Sequence, residues 1–345
     1  MRAFRLPKAL ATEPGAPLML VAGTRLEALR LLPLLRALRA PGHGEGALLV
    51  DTGESGSAVR DTLREHGLAA DLRLPGARGT SAAAFALLRL LLRVRPSLVV
   101  AGGASRSGLA AGIAARGAGI RSALLASSAD QAPRWRWRLL AGLHTWFYLG
   151  RERPPIEPAR GRAFLTGDPL YDLCREQSEA LGANADAVAQ RILIAASWSA
   201  DAGAATVTSL LTDAASSRID WVAAPAPEEA DIHPRLRRLG HLPHWRMLAL
   251  LRRSQVLITD NALLALEARW FGRSVLWVGD TAAPQGCVPC PASELSAHVL
   301  AAIHGSLSPR PLLEDGRAAQ RVAGHLLDCI DQHAFAGILT RPRTR

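Results

Sequence analysis

Five short groups of residues in this 345-residue chain have the types and spacing to do chemistry. The first is Gly23-Thr24-Arg25, between an apolar run ending at Ala22 and an amphipathic stretch with Leu29, Leu32, Leu35 and Leu38 on one stripe. Such a strand, turn and helix start leaves backbone N–H groups for an anion, and Arg25 adds a fixed positive charge. The second is Asp260-Asn261, followed by Glu267 within the next helix. The third is the alternating Arg134-Trp135-Arg136-Trp137-Arg138, and the fourth is the histidine pair His241 and His244 ahead of a helix over Trp245–Arg252. The fifth is Cys287-Val288-Pro289-Cys290, a lone CxxC with no second pair and no histidine at ligand spacing. A structural zinc normally takes four ligands, so this pair reads as a solvated loop, and neither metal nor cofactor is expected. Arg106, just past Gly102-Gly103, is a further cation at a strand end.

The elements that must position these groups alternate strand and helix. Strands are expected at 17–22, 47–51, 98–101, 122–126 and 164–166, then at 192–195, 221–224, 256–259 and 274–278. Helices are expected at 58–66, 81–94, 108–116, 171–190, 245–252, 263–270 and 316–332. Strands alternating with helices of this length imply parallel sheets covered on both faces. In open sheets of that kind ligands sit at the carboxyl ends of the strands. The length suits two domains. We expect an extension (1–16), a first Rossmann-like domain (17–170), a helical linker (171–190), a second, nucleotide-binding Rossmann-like domain (191–315), a closing helix (316–335) set to pack back on the first domain, and a basic tail (336–345).

The net charge is +11, almost all of it arginine, and the chain is 49% hydrophobic and 5% aromatic. Positive charge of this size fits nucleic acid, anionic lipid or a phosphorylated substrate, and equally a GC-rich coding bias. No zinc-finger, RNP-type or basic-zipper pattern is present, so nucleic acid is not expected as a partner. No run of about 18 uncharged apolar residues occurs, and the first sixteen residues contain no apolar core of a signal peptide. A cytoplasmic protein is expected. The Arg134, Trp135, Arg136, Trp137 segment offers a peripheral contact with anionic lipid at the inner membrane face, since indole favours the interface and arginine the phosphates. The opposing reading packs the tryptophans inward beneath arginine stems.

Taken together, the segments resemble the non-hydrolysing UDP-N-acetylglucosamine 2-epimerases in order along nearly the whole chain. Gly23-Thr24-Arg25-Leu26-Glu27-Ala28 is similar to that family's opening motif. Val50-Asp51-Thr52-Gly53 resembles its Thr-Gly-Gln-His, and Arg95-Pro96-Ser97-Leu98-Val99-Val100-Ala101-Gly102-Gly103 its Lys-Pro-Asp-x-Val-x-Val-x-Gly-Asp. Leu165-Thr166-Gly167-Asp168, Thr259-Asp260-Asn261 with Glu267-Ala268, Gly272-Arg273-Ser274-Val275-Leu276 with Asp280-Thr281, and Asp315-Gly316-Arg317-Ala318 continue it. The resemblance implies a GT-B-type α/β fold, two doubly wound parallel-sheet domains facing a cleft, and a UDP-sugar ligand in cell-surface polysaccharide metabolism. It places Arg25 at the diphosphate, Glu267 at the ribose hydroxyls, Asn261 at a phosphate and Arg138 as a further nucleotide contact; by their own positions at strand ends and loops, Arg106, His241 and His244 are further candidates on the cleft side.

The family's reaction eliminates UDP across C1–C2 and adds it back, which needs a base and an acid at C2. The residues at the matching positions are Gly103, Ala126, Arg134 and Trp135, none a carboxylate, and the second-domain Thr-x-His-Arg is Ala195-Ala196-Ser197-Trp198. No catalytic residue is therefore assigned. An isomerase with a rebuilt site, a binding-only relative, a glycosyltransferase at the inner membrane face and a non-catalytic scaffold all remain open, as does a homodimer.

Overall fold

The computed structural model describes residues 18–40, 46–74, 79–127, 129–150, 162–180, 192–196, 218–222, 236–240, 242–305 and 314–339. The chain divides into two compact units, Met1–Leu173 with Asp315–Arg345, and Cys174–Glu314.

The first unit is built on seven strands: β1 (Leu18–Ala22), β2 (Ala47–Asp51), β3 (Leu72–Arg73), β4 (Leu98–Ala101), β5 (Ser122–Ala126), β6 (Trp146–Leu149) and β7 (Ala163–Leu165). They form one sheet in the order β3-β2-β1-β4-β5-β6-β7, parallel throughout. Residues of β1, β2, β4 and β5 are buried at every position, which is why these segments read as unbroken apolar runs rather than alternating ones. The helices are α1 (Arg25–Leu38), α2 (Ala58–Glu65), α3 (Thr80–Val94), α4 (Arg106–Gly117), α5 (Arg134–Leu143) and α6 (Pro169–Ala180). One core packs Met19, Val21, Val99 and Ala101 against Leu87 and Leu91 of α3, Ala110 and Ala114 of α4, and Trp137 and Leu140 of α5.

The boundary between the units falls within α6, after Leu173. The second unit holds β8 (Ile192–Ala196), β9 (Arg218–Val222), β10 (Leu236–Gly240), β11 (Val256–Thr259), β12 (Ser274–Trp277) and β13 (Val288–Pro289), in the parallel order β10-β9-β8-β11-β12-β13. Its helices include α7 (His244–Arg253), α8 (Ala262–Trp270) and α9 (Leu295–Ile303). The strand order reverses between β1 and β4 in one sheet and between β8 and β11 in the other, so each unit has a switch point. The last helix, α10 (Ala318–Leu339), belongs to the first unit. Asp172 accepts from the amides of Ala318 (3.2 Å) and Ala319 (2.7 Å) at its start, and Tyr148 on β6 is 2.7 Å from His325 Nδ1 further along.

Several elements differ from the sequence reading. Trp146–Leu149, not among the expected strands, is an interior strand of the sheet. The CxxC is not a solvated loop, because its middle residues pair with β12 as the edge strand β13 and Cys290 is buried. His244 is the first residue of α7, itself buried, rather than a loop histidine. His241, Ser197, Trp198, residues 1–16, 181–190 and 223–224, and the tail beyond 339 lie outside the described residues.

Candidate functional site

In the first unit the loops at the carboxyl ends of β1, β2, β4 and β5 converge at the switch point. The turn after β1 closes as a capping box: Thr24 Oγ1 accepts from the Glu27 amide (3.2 Å), and Glu27 Oε2 accepts from the amides of Gly23 (2.7 Å) and Thr24 (3.1 Å). The chain's own carboxylate thus holds two amides of the turn that leads into the helix. Glu27 is almost fully buried, and that burial pushes its carboxyl up to about 7; the Ser105 hydroxyl and the Gly23 amide oppose the shift, while Glu54 and Asp130 add to it. Arg25 reaches Glu65 on α2 at 3.7 Å.

Arg30 lies one turn on, among the leucines of α1, and is 1% exposed. Its Nη1 donates to Gly102 O at 2.8 Å and to both Asp130 oxygens (3.1 and 3.2 Å), and its Nε to Asp168 Oδ1 at 3.1 Å. Burial alone would weaken its hold on the proton, but the charges of Asp130 and Asp168 reverse that and raise it. Asp130 itself is held above the usual carboxylate range by burial, with the Arg30 charge opposing. One guanidinium thus ties together α1, the end of β4, the loop after β5 and the start of α6.

Gly103 explains how this fits. A Cβ there would stand 2.7 Å from Asp130 Oδ1, 3.1 Å from Glu27 Cγ and 3.2 Å from Arg30 Nη1. Any side chain at 103 would collide with the buried ion pair, so the residue is glycine because the pair fills its space. Glu54, after β2, is also engaged: Oε2 accepts from the Ser107 hydroxyl (2.5 Å) and amide (2.8 Å), and Oε1 from Arg106 Nε (3.1 Å). Burial raises its pKa, yet these donors outweigh that and the net shift is downward. Arg106 is therefore at the rim of this region, exposed and paired.

On α5 the two tryptophans part company. Trp137 is 1% exposed and sits in the core, whereas Trp135 is 55% exposed with the Arg136 guanidinium 5.4 Å from its ring centroid. The lipid contact through Arg134, Trp135, Arg136 and Trp137 thus loses Trp137, because helical spacing turns it inward. Arg134 and Arg138 are exposed on the same helix.

In the second unit the turn after β11 is held by Thr259 Oγ1, which accepts from the Asn261 amide (2.9 Å). Asn261 caps α8, its Oδ1 accepting from Leu263 (3.0 Å) and Leu264 (3.3 Å), which leaves Nδ2 to donate elsewhere. Gly279, the residue before Asp280, also marks a close approach: a Cβ there would be 3.0 Å from Trp277 and 3.1 Å from Asp260. Glu267 is fully buried; its Oε1 accepts from His244 Nε2 at 2.8 Å and lies 4.0 Å from Cys174 Sγ. That carboxylate would have to be uncovered before it could meet a ribose.

With this geometry, comparison with known proteins gives a fold. The chain is similar to UDP-GlcNAc 2-epimerase from Neisseria meningitidis bound to UDP-GlcNAc, with a TM-score of 0.73 and 14% identity over 90% of this chain and 100% of that one. The Methanocaldococcus jannaschii UDP-GlcNAc 2-epimerase in complex with UDP-GlcNAc and UDP gives 0.71 and 16% over 90% and 99%. The fold is GT-B-type. MurG from Acinetobacter baumannii shares it more distantly, with a TM-score of 0.55 at 16% identity over 92% of this chain and 100% of that one. No family model matches the sequence, and no curated protein matches it by sequence.

Glu27, Arg30, Asp130 and Asp168 were not singled out from the sequence. Two signals were there: Thr24 and Glu27 at capping-box spacing, and Arg30 inside an otherwise apolar helix stripe. Nothing local linked Asp130 to Gly103. Among the described residues, no helix is long and apolar enough to cross a membrane.

Proposed function

We propose that this chain binds a UDP-sugar and does not carry out the C2 proton transfers of an epimerase. The binding half rests on the GT-B-type fold, which the solved epimerases hold together with UDP-GlcNAc and UDP. It rests also on Asn261, whose Oδ1 alone makes the helix cap and so leaves its amide nitrogen as a donor at a strand-end helix start, where phosphate oxygens are favoured. Arg25 and Arg138 add positive charge in the first unit.

One observation carries the non-catalytic half: the space beside Gly103 is filled by Asp130, and Asp130 is spent on Arg30. Proton transfer at carbon needs a positioned acid or base, most often a carboxyl or imidazole, within hydrogen-bond reach of the substrate. The acids at these strand ends of the first unit are engaged by the chain itself instead: Glu27 caps its own helix, Asp130 and Asp168 hold Arg30, and Glu54 holds Ser107 and Arg106.

The test is UDP binding by calorimetry to the full chain and to Asn261→Asp. The aspartate keeps the cap's acceptor oxygen but replaces the donor with a negative charge beside the diphosphate. A hydrogen bond to a charged group is worth about 1.5–3 kcal/mol, so affinity should fall by about tenfold or more while the melting temperature holds. Equal affinity for the two proteins would remove Asn261 from the site, and no UDP binding by the parent protein would refute the reading.

A further inference from the structure

We propose that Cys174, His244 and Glu267 form a binding site for one divalent metal ion of the zinc type, inside the second unit. Three separate helices deliver the ligands: Cys174 from α6, His244 from the first position of α7 and Glu267 from the middle of α8. Their ligand atoms, Sγ, a ring nitrogen and a carboxylate oxygen, all lie within 4.8 Å of one another, and all three side chains are buried. Zinc holds sulfur, nitrogen and oxygen donors at about 2.0–2.3 Å, which in a tetrahedron separates neighbouring donors by roughly 3.4 Å. The observed 2.8 Å (His244 Nε2 to Glu267 Oε1) and 4.0 Å (Cys174 Sγ to Glu267 Oε1) bracket that value.

The electrostatics point the same way. Glu267 is 0% exposed, and its Oε2 has no hydrogen-bond partner among the described residues. A buried carboxylate left half satisfied is costly, and among the described residues no arginine is paired with it in the way Asp130 is answered by Arg30. A divalent ion bound to the Cys174 thiolate, the Glu267 carboxylate and a neutral His244 gives a site of zero net charge, which suits an apolar interior. On binding, the Cys174 thiol proton leaves to solvent. Thiolate with imidazole favours zinc, cobalt(II) and their neighbours over magnesium or calcium. Three protein ligands leave a fourth position for water. No sequence motif announces the site, since its members are distant in the chain, while the conspicuous Cys287 and Cys290 are not part of it.

The experiment loads the full-length protein with zinc or with cobalt(II), removes excess by dialysis, and measures bound metal by mass spectrometry and the cobalt spectrum by absorbance. One equivalent is expected, with the intense tetrahedral bands and a thiolate-to-cobalt charge-transfer band. Cys174→Ser should lose that charge-transfer band, Glu267→Gln should weaken zinc by about tenfold or more, and the double variant C287S/C290S should retain both metal and band. Should C174S or E267Q fail to fold, the parent protein still decides: its melting temperature should rise with zinc and fall back with chelator. Failure to retain metal in the parent protein, or a charge-transfer band that survives C174S and disappears in C287S/C290S, would overturn the assignment.

Discussion

Replacing Arg30 with methionine should destabilise the first unit far more than removing one arginine from a basic protein would suggest. Methionine keeps the length and apolar stem, so the packing of α1 is largely preserved. It leaves Asp130 and Asp168, with side chains only 5% and 4% exposed, without their shared cation. It also strands Gly102 O, which accepts from Nη1 at 2.8 Å. Removing one partner of a buried ion pair costs about 3–5 kcal/mol. For a unit of about 150–250 residues each kcal/mol moves the melting temperature by about 2–4 °C, so R30M should melt roughly 6–20 °C lower. The assay is calorimetric melting at neutral pH, with urea unfolding as a second measure. The triple variant R30M/D130N/D168N removes both stranded charges and should recover a large part of the loss, because the three residues form one network and their effects are not additive. A single variant melting within about 2 °C of the parent, or a triple variant worse than the single, would refute the reasoning that Gly103 is glycine to admit a stabilising ion pair.

Glu27 gives a pH dependence of definite sign. Its carboxyl is raised from 4.5 to about 7, so the folded protein holds a proton that the unfolded chain has released. The associated stability is complete below about pH 4.5 and is lost as pH rises to about 7, a contribution on the order of 3 kcal/mol. Subtracting the stability–pH curve of Glu27→Gln from that of the parent should show a decline over that window, and a flat difference would contradict it. The two tryptophans of α5 should behave oppositely under denaturant: Trp137→Ala should cost about 3–5 kcal/mol, and Trp135→Ser, on the exposed face, under about 0.5 kcal/mol. Vesicle sedimentation with anionic lipid and W135S then reports whether the exposed tryptophan touches membrane, without disturbing the core.

The order of elements was largely readable because both sheets are parallel and buried, so strands such as Leu98–Ala101 and Val256–Thr259 appear as apolar runs between amphipathic helices. Trp146–Leu149 escaped because a four-residue aromatic strand so soon after the Arg-Trp helix has no long apolar run of its own to mark it, although it pairs on both sides within the sheet. Val288–Pro289 escaped because a two-residue edge strand has no periodicity to detect. The candidate site was legible only where it is local, in the Gly23-Thr24-Arg25 turn and the Asn261 cap. The contacts that decide its chemistry join residues far apart in sequence: Arg30 with Asp130 and Asp168, and His244 with Glu267. A motif reading sees that Gly103 lacks a carboxylate; only the fold brings Asp130 into that space.

The most direct test of the central claim is proton NMR of UDP-N-acetylglucosamine with the full-length protein in deuterated water. The account predicts ligand resonances broadened by binding, with the C2 proton retained and no manno-configured signals after prolonged incubation. Deuterium at C2, or a growing manno signal, would show that a proton-transfer apparatus operates although these acids are engaged by the chain itself, and would contradict the account.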